Sequence, residues 1–153
     1  MPSRRRQRQT ALQILFQWDQ RRQPVDEAIA AYYHSLYSEE HQTKPTREQF
    51  VDALVNGVVE RIPELDELIS KHAEHWRIER MPVVDRTVLR LGLYEMLHVG
   101  TPPAVVIDEA IELARRYSGE PSVQFINGVL DAARRDLAAG GRLEEPQNSQ
   151  QSS

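Results

Sequence analysis

Four arginines, Arg4, Arg5, Arg6 and Arg8, fall in the first eight residues, at the head of the run RRRQRQTALQILFQWD. Guanidinium groups at that density pair with phosphate or carboxylate, each offering five N–H donors in a planar fork. The whole chain carries a net charge of −4, yet residues 1–22 hold six arginines against Asp19 alone, which leaves +5 at this end and −9 on the body. A basic end on an acidic body orients an encounter with an anionic partner. A merely solvated basic terminus is the competing reading. If each of the four arginines meets one phosphate of a single strand, affinity falls with salt at a logarithmic slope of roughly −3. That term is blind to sequence. Choosing one strand over another requires unstacked bases on aromatic faces or hydrogen-bonded at their edges. Phe16 and Phe125 are the candidate platforms, and single-stranded RNA suits them better than duplex DNA because no recognition-helix signature stands out.

Other reactive groupings are weaker. His72 and His75 flank Glu74, and His98 stands further on, but HAEH is not the HExxH of a zinc enzyme. These read as surface histidines, with no metal. The acidic pairs at 26–27, 66–67 and 108–109 each follow a proline near an expected helix start, so capping explains them more simply than acid–base catalysis. No nucleophile elbow and no glycine-rich phosphate loop is present. Cysteine is absent, which excludes disulfides, thiolate zinc sites and thiol chemistry. Nothing points to an enzyme or to a cofactor.

These residues need elements to hold them, and the periodicity is helical throughout. Ala11, Ile14, Leu15 and Trp18 share one stripe, with Leu12, Phe16 and Arg5 on its flank. Pro24 opens a second helix with Val25, Ile29, Tyr32, Tyr33 and Leu36 on its apolar face. After the loop SEEHQTKP, Thr46 and Gln49 suggest a capping box for a third, whose Phe50, Leu54, Val58 and Ile62 face inward. A fourth begins at Pro63 and repeats Leu65, Leu68, Ile69 and Trp76; a fifth sets Val84, Val88, Leu91 and Glu95 in one register. GTPP breaks the chain before a sixth helix closed by Gly119, and Pro121 opens the last, with Phe125, Val129, Ala133 and Leu137 along one side. Gly128, in FING, is costly inside a helix and implies that another helix or a ligand approaches that backbone closely. The expectation is an all-α fold of about seven helices, residues 1–138, followed by a disordered tail over 139–153. The first apolar stretch is interrupted by Gln13, Gln17 and Asp19, and no run approaches a membrane span. A cytoplasmic protein with no membrane contact is expected.

Four segments, RRRQRQTALQILFQWD, VDRTVLRLGLYEML, VVIDEAIELARRYSG and FINGVLDAARR, in this order and spacing, resemble the bacterial transcription antitermination factor NusB family over residues 4 to about 137. The resemblance implies two small helical subdomains. It also implies binding of the boxA element of ribosomal RNA leaders together with NusE, a small-subunit ribosomal protein, and loading onto RNA polymerase with other Nus factors. RNA contacts would fall on Arg4, Arg5, Arg6, Arg8 and Phe16, then on Gln124 and Phe125, with Arg86 a further candidate unless it pairs with Asp85 at a helix start. Family members often carry a basic residue where Gln124 stands. Two alternatives remain at this level. One is a protein-binding helical adaptor, with Tyr32, Tyr33 and Tyr37 available for an interface or a homodimer. The other is the RNA-recognition domain of a ribosomal RNA methyltransferase, which would need a downstream catalytic domain.

Overall fold

The computed structural model describes residues 3–39 and 47–143, with side chains of the first segment placed through residue 36. Among the described residues there are seven α-helices and no strand: α1 (Arg4–Arg21), α2 (Val25–Glu39), α3 (Gln49–Glu60), α4 (Ile62–His72), α5 (Val83–Tyr94), α6 (Pro103–Tyr117) and α7 (Glu120–Ala139). A 3₁₀ turn, Ile78–Arg80, leads into α5, and a π turn, Glu95–Val99, extends it. None of these helices is long and apolar enough to cross a membrane.

The centre of the molecule is α5, which packs on α1, α3, α4, α6 and α7. Residues 87–93, TVLRLGL, are buried without interruption. A helix buried on every side has to be enclosed by its neighbours, and its buried Thr87 and Arg90 need hydrogen-bond partners inside the fold. Ile14 and Leu15 of α1, Leu54 and Val55 of α3, Leu65 and Ile69 of α4, and Ile126 and Leu130 of α7 join it in one continuous core. The helical group α1–α3 and the group formed by the later helices therefore meet across α5 rather than standing apart.

Several local expectations change. GTPP does end the fifth element: Gly100 adopts φ 82°, and its amide donates to the Glu95 carbonyl at 3.0 Å. That left-handed turn favours glycine. The N-cap of α3 is Glu48, without a side-chain cap bond, and Thr46 of the expected capping box lies outside the described residues. Val51 and Val55 fill the core on α3, whereas Phe50 and Ile62 are only partly buried. Trp76 does not continue the α4 stripe. The helix ends at His72, and Trp76 is 52% exposed. Of the expected loop, Ser38 and Glu39 belong to α2, and of the expected tail, Ala139 belongs to α7 and Leu143 packs against the core; the rest of the loop and residues 144–153 lie outside the described residues.

Candidate nucleic-acid interface

The arginine cluster occupies the first turns of α1. Ser3 is the N-cap, its Oγ accepting from the Arg6 amide at 3.2 Å. No acidic residue stands in that first turn, so Arg4, Arg5 and Arg6 crowd the end of the helix dipole that is already positive. Such a placement opposes helix stability and calls for anions from elsewhere.

Part of that demand is met inside the fold. Arg8 is buried and forms a bidentate pair with Glu95, at 2.7 and 2.9 Å. It is therefore withdrawn from the surface and cannot serve as the phosphate grip expected of it. Arg5 is held by Glu109 of α6 through two 3.1 Å bonds but remains largely exposed. Arg4 lies 3.8 Å over the Phe50 ring and donates to Gln7 at 2.8 Å. Arg6 is exposed, and its guanidinium has no partner among the described residues. The ring beside the cluster is thus Phe50 of α3, where Phe16 was expected.

Arg86 also turns inward. Its Nε donates to Asp19 at 2.6 Å, and its Nη1 reaches the Ile78 and Met81 carbonyls at 3.3 and 3.4 Å. It does not pair with Asp85, and with its side chain only 15% exposed it is engaged mainly by these intramolecular acceptors rather than presented as a free phosphate grip. Asp85 instead accepts from Ser118 and Ser122, at 3.1 and 2.9 Å, tying α5 to the α6–α7 corner. Asp19 further receives Arg22 at 3.0 Å and Arg90 at 3.3 Å, while Arg90 forks onto Asp66 at 2.8 and 2.9 Å. Burial by itself pushes the Asp19 carboxyl up. The Arg86 and Arg22 hydrogen bonds and the nearby Arg90 and Arg86 charges outweigh that push and hold it below the usual carboxylate range.

Farther along α1, Phe16 lines a groove of about 560 Å³ with Leu12, Gln13, Gln17, Val84 and Tyr117. Gln13 Nε2 donates to the Tyr117 hydroxyl at 3.1 Å, bracing the two walls. Leu12, expected on the flank, is fully within the core. Tyr117 was not singled out from the sequence, although as the last residue of α6 it stands beside the predicted break. Gln124 is exposed and Phe125 half-buried, on the first turns of α7. Phe125 meets Trp76 edge-on, with centroids 6.1 Å apart.

Gly128 is exposed, and a Cβ there would have no neighbour within 4 Å. The expected packing of another helix against it is absent. Replacing Gly128 with Ala is therefore expected to stabilise the fold by about 1 kcal/mol, raising the thermal midpoint by roughly 2–4 °C. A lower midpoint in a thermal melt would show that the extra methyl meets an obstacle.

The remaining groups are structural. His72 contacts Asp136 at 3.2 Å and His98 contacts Glu64 at 3.0 Å. No cluster of metal-ligating side chains occurs among the described residues. Of the acidic pairs, Asp26 and Glu27 do stand in the first turn of α2. Asp66 and Glu109 instead serve as counter-ions to Arg90 and Arg5, which corrects the capping explanation at those two places.

Fold and charge together define a class: an all-helical protein with a basic, incompletely compensated helix end and an aromatic groove farther along the same helix. The chain belongs to the NusB family, whose model matches residues 5–135. A transcription antitermination protein NusB of Solibacter usitatus (strain Ellin6076) is 63% identical over 137 residues, covering 90% of this chain and 92% of the relative. Among solved structures, a T. maritima NusB is similar with a TM-score of 0.75 at 35% identity, covering 88% of this chain and 92% of that one. A structure of antitermination factors NusB and NusE in complex with double-stranded RNA gives a TM-score of 0.73 at 28% identity, covering 87% and 96%.

Proposed function

We propose that this chain binds single-stranded boxA RNA of ribosomal leaders together with NusE, and acts in the cytoplasm with RNA polymerase and other Nus factors to carry transcription past terminators. The observation that carries this reading is the incompletely compensated start of α1. Arg6 has no protein partner among the described residues, Arg4 and Arg5 are exposed, and all three sit on a helix end whose dipole attracts anions. The Phe16–Tyr117 groove lies on the same helix about three turns on, at the far end of a strand gripped by the cluster. A solved relative bound to NusE and duplex RNA supports the class of partner and supplies a duplex arm for the test.

Replacing Arg4 and Arg6 together by Ala should flatten the logarithmic salt slope of single-strand binding by about 1.4, since each lost phosphate contact removes roughly 0.7. Helical content should stay unchanged, because neither side chain contributes to the core. The measurement is a titration of boxA RNA, a scrambled strand and a duplex at two salt concentrations, with and without NusE. An unchanged slope would reject the arginine grip. Binding of NusE with no RNA dependence would favour the adaptor reading, and self-association in the same runs would reveal a homodimer.

A further inference from the structure

Among the described residues, Trp76 is the most exposed of the three large hydrophobic side chains left on the surface, ahead of Val99 and Val105. Its position is built rather than frayed. The chain leaves α4 through His75, which adopts φ 71°, a left-handed conformation that a non-glycine residue takes at a cost. The Trp76 amide then donates to the Ala73 carbonyl at 3.2 Å. From there the indole meets the Phe125 ring at 6.1 Å with planes 63° apart. An edge-to-face pair satisfies one contact of each ring and leaves ring surface over, consistent with the 52% exposure.

The surroundings point to the chemistry of the missing neighbour. Arg77 and Arg80 follow Trp76, are exposed, and form no ion pair among the described residues. Gln124, next to Phe125, is exposed and offers an amide donor and acceptor together. Glu74 and Glu79 cancel the two arginine charges, so the locale attracts no polyanion by net charge. An exposed aromatic face whose chain neighbours carry exposed guanidinium and amide groups matches a flat, hydrogen-bonding heterocycle better than an aliphatic protein side chain. The same helix start is tied to α5. Ser122, one turn before Phe125, donates to Asp85 together with Ser118, which fixes the start of α7 that carries the Phe125 ring.

We propose that Trp76, braced by Phe125, is a stacking platform for an unpaired RNA base, adding a base-dependent contribution to binding that the α1 arginines cannot supply. The proposal rests on the RNA-binding reading above. Trp76→Ala should weaken binding of the single-stranded boxA probe by roughly 5- to 150-fold, the loss of one aromatic–base stack. Its salt slope should be unchanged, because no phosphate contact is removed. Binding to heparin, a polyanion without bases, should be unaffected, and Trp76→Phe should recover part of the loss. A direct signal is also available. The chain has two tryptophans, and Trp18 is only 7% exposed beneath Arg22, so quenching of the exposed indole on RNA addition should vanish in Trp76→Phe.

Equal losses on RNA and heparin, or full RNA affinity in Trp76→Ala with unaltered helical content, would overturn the proposal while leaving the arginine grip intact. Loss of NusE binding without loss of RNA binding would overturn it in favour of a protein contact. A wild-type chain that binds no RNA would overturn both readings.

Discussion

Asp19→Ala is expected to destabilise the protein by about 3–5 kcal/mol, the range for removing one partner from a buried ion pair. The carboxylate is only 1% exposed at its side chain and receives Arg22, Arg86 and Arg90. Arg90 keeps Asp66 after the change, and Arg86 keeps two carbonyls, so the loss falls on one buried and one partly buried guanidinium with reduced compensation. Asp19→Asn retains the shape and one acceptor and should cost less than the Ala variant. Chemical denaturation midpoints of the two variants separate charge from packing, and an Ala cost below about 1 kcal/mol would show that the network is dispensable. The same carboxyl sets an acid limb. Its folded pKa lies below the unfolded value of about 3.9, so its stabilisation is complete above that pH and is lost as pH falls toward the folded value. Below about pH 4 the wild-type stability should therefore fall more steeply than that of Asp19→Asn.

This network shows where the sequence was legible and where it was not. Helical periodicity yields the face a residue occupies but not the partner across the core. The all-helical class, the GTPP break and the solvent exposure of Arg4 and Arg6 all follow from local pattern. Arg8 could have been placed correctly from the same pattern, since Ala11, Leu12 and Leu15 follow it at three, four and seven residues and all are buried. Likewise Glu95 shares its register with Val88 and Leu91. A cation on one buried stripe and an anion on another imply a pair, even though 87 residues separate them. Arg86 gave no such signal, because its contact depends on how α5 is tilted against the end of α1. Trp76 misled for the opposite reason. Its spacing fitted α4, but the helix had already ended at His72, and the positive φ of His75 redirects the chain.

Gly57→Ala carries the other large effect and links packing to the interface. A Cβ on Gly57 would fall within the ring of Tyr94, the last residue of α5. Glycine in mid-helix normally weakens the helix by about 1 kcal/mol, so Ala there would stabilise if space allowed. Here the ring is partly buried between α3 and the π turn and also neighbours His98 at 5.5 Å. Overpacking of about 1–3 kcal/mol or more should win over the propensity gain, giving a net loss in denaturation experiments. Tyr94→Ala alone leaves a cavity and is destabilising, but in the double variant the new methyl enters the vacated space. The combined cost should therefore be smaller than the sum of the single costs, whereas an additive result would mean that the two positions do not meet. Tyr94 directly precedes Glu95, the anchor of Arg8. If the clash is relieved by displacing the end of α5 rather than by turning the ring alone, the Glu95 carboxylate moves with it and, through Arg8, the start of α1. Gly57→Ala should accordingly weaken RNA binding even under conditions where the chain remains folded, although Gly57 is buried at the contact between α3 and α5.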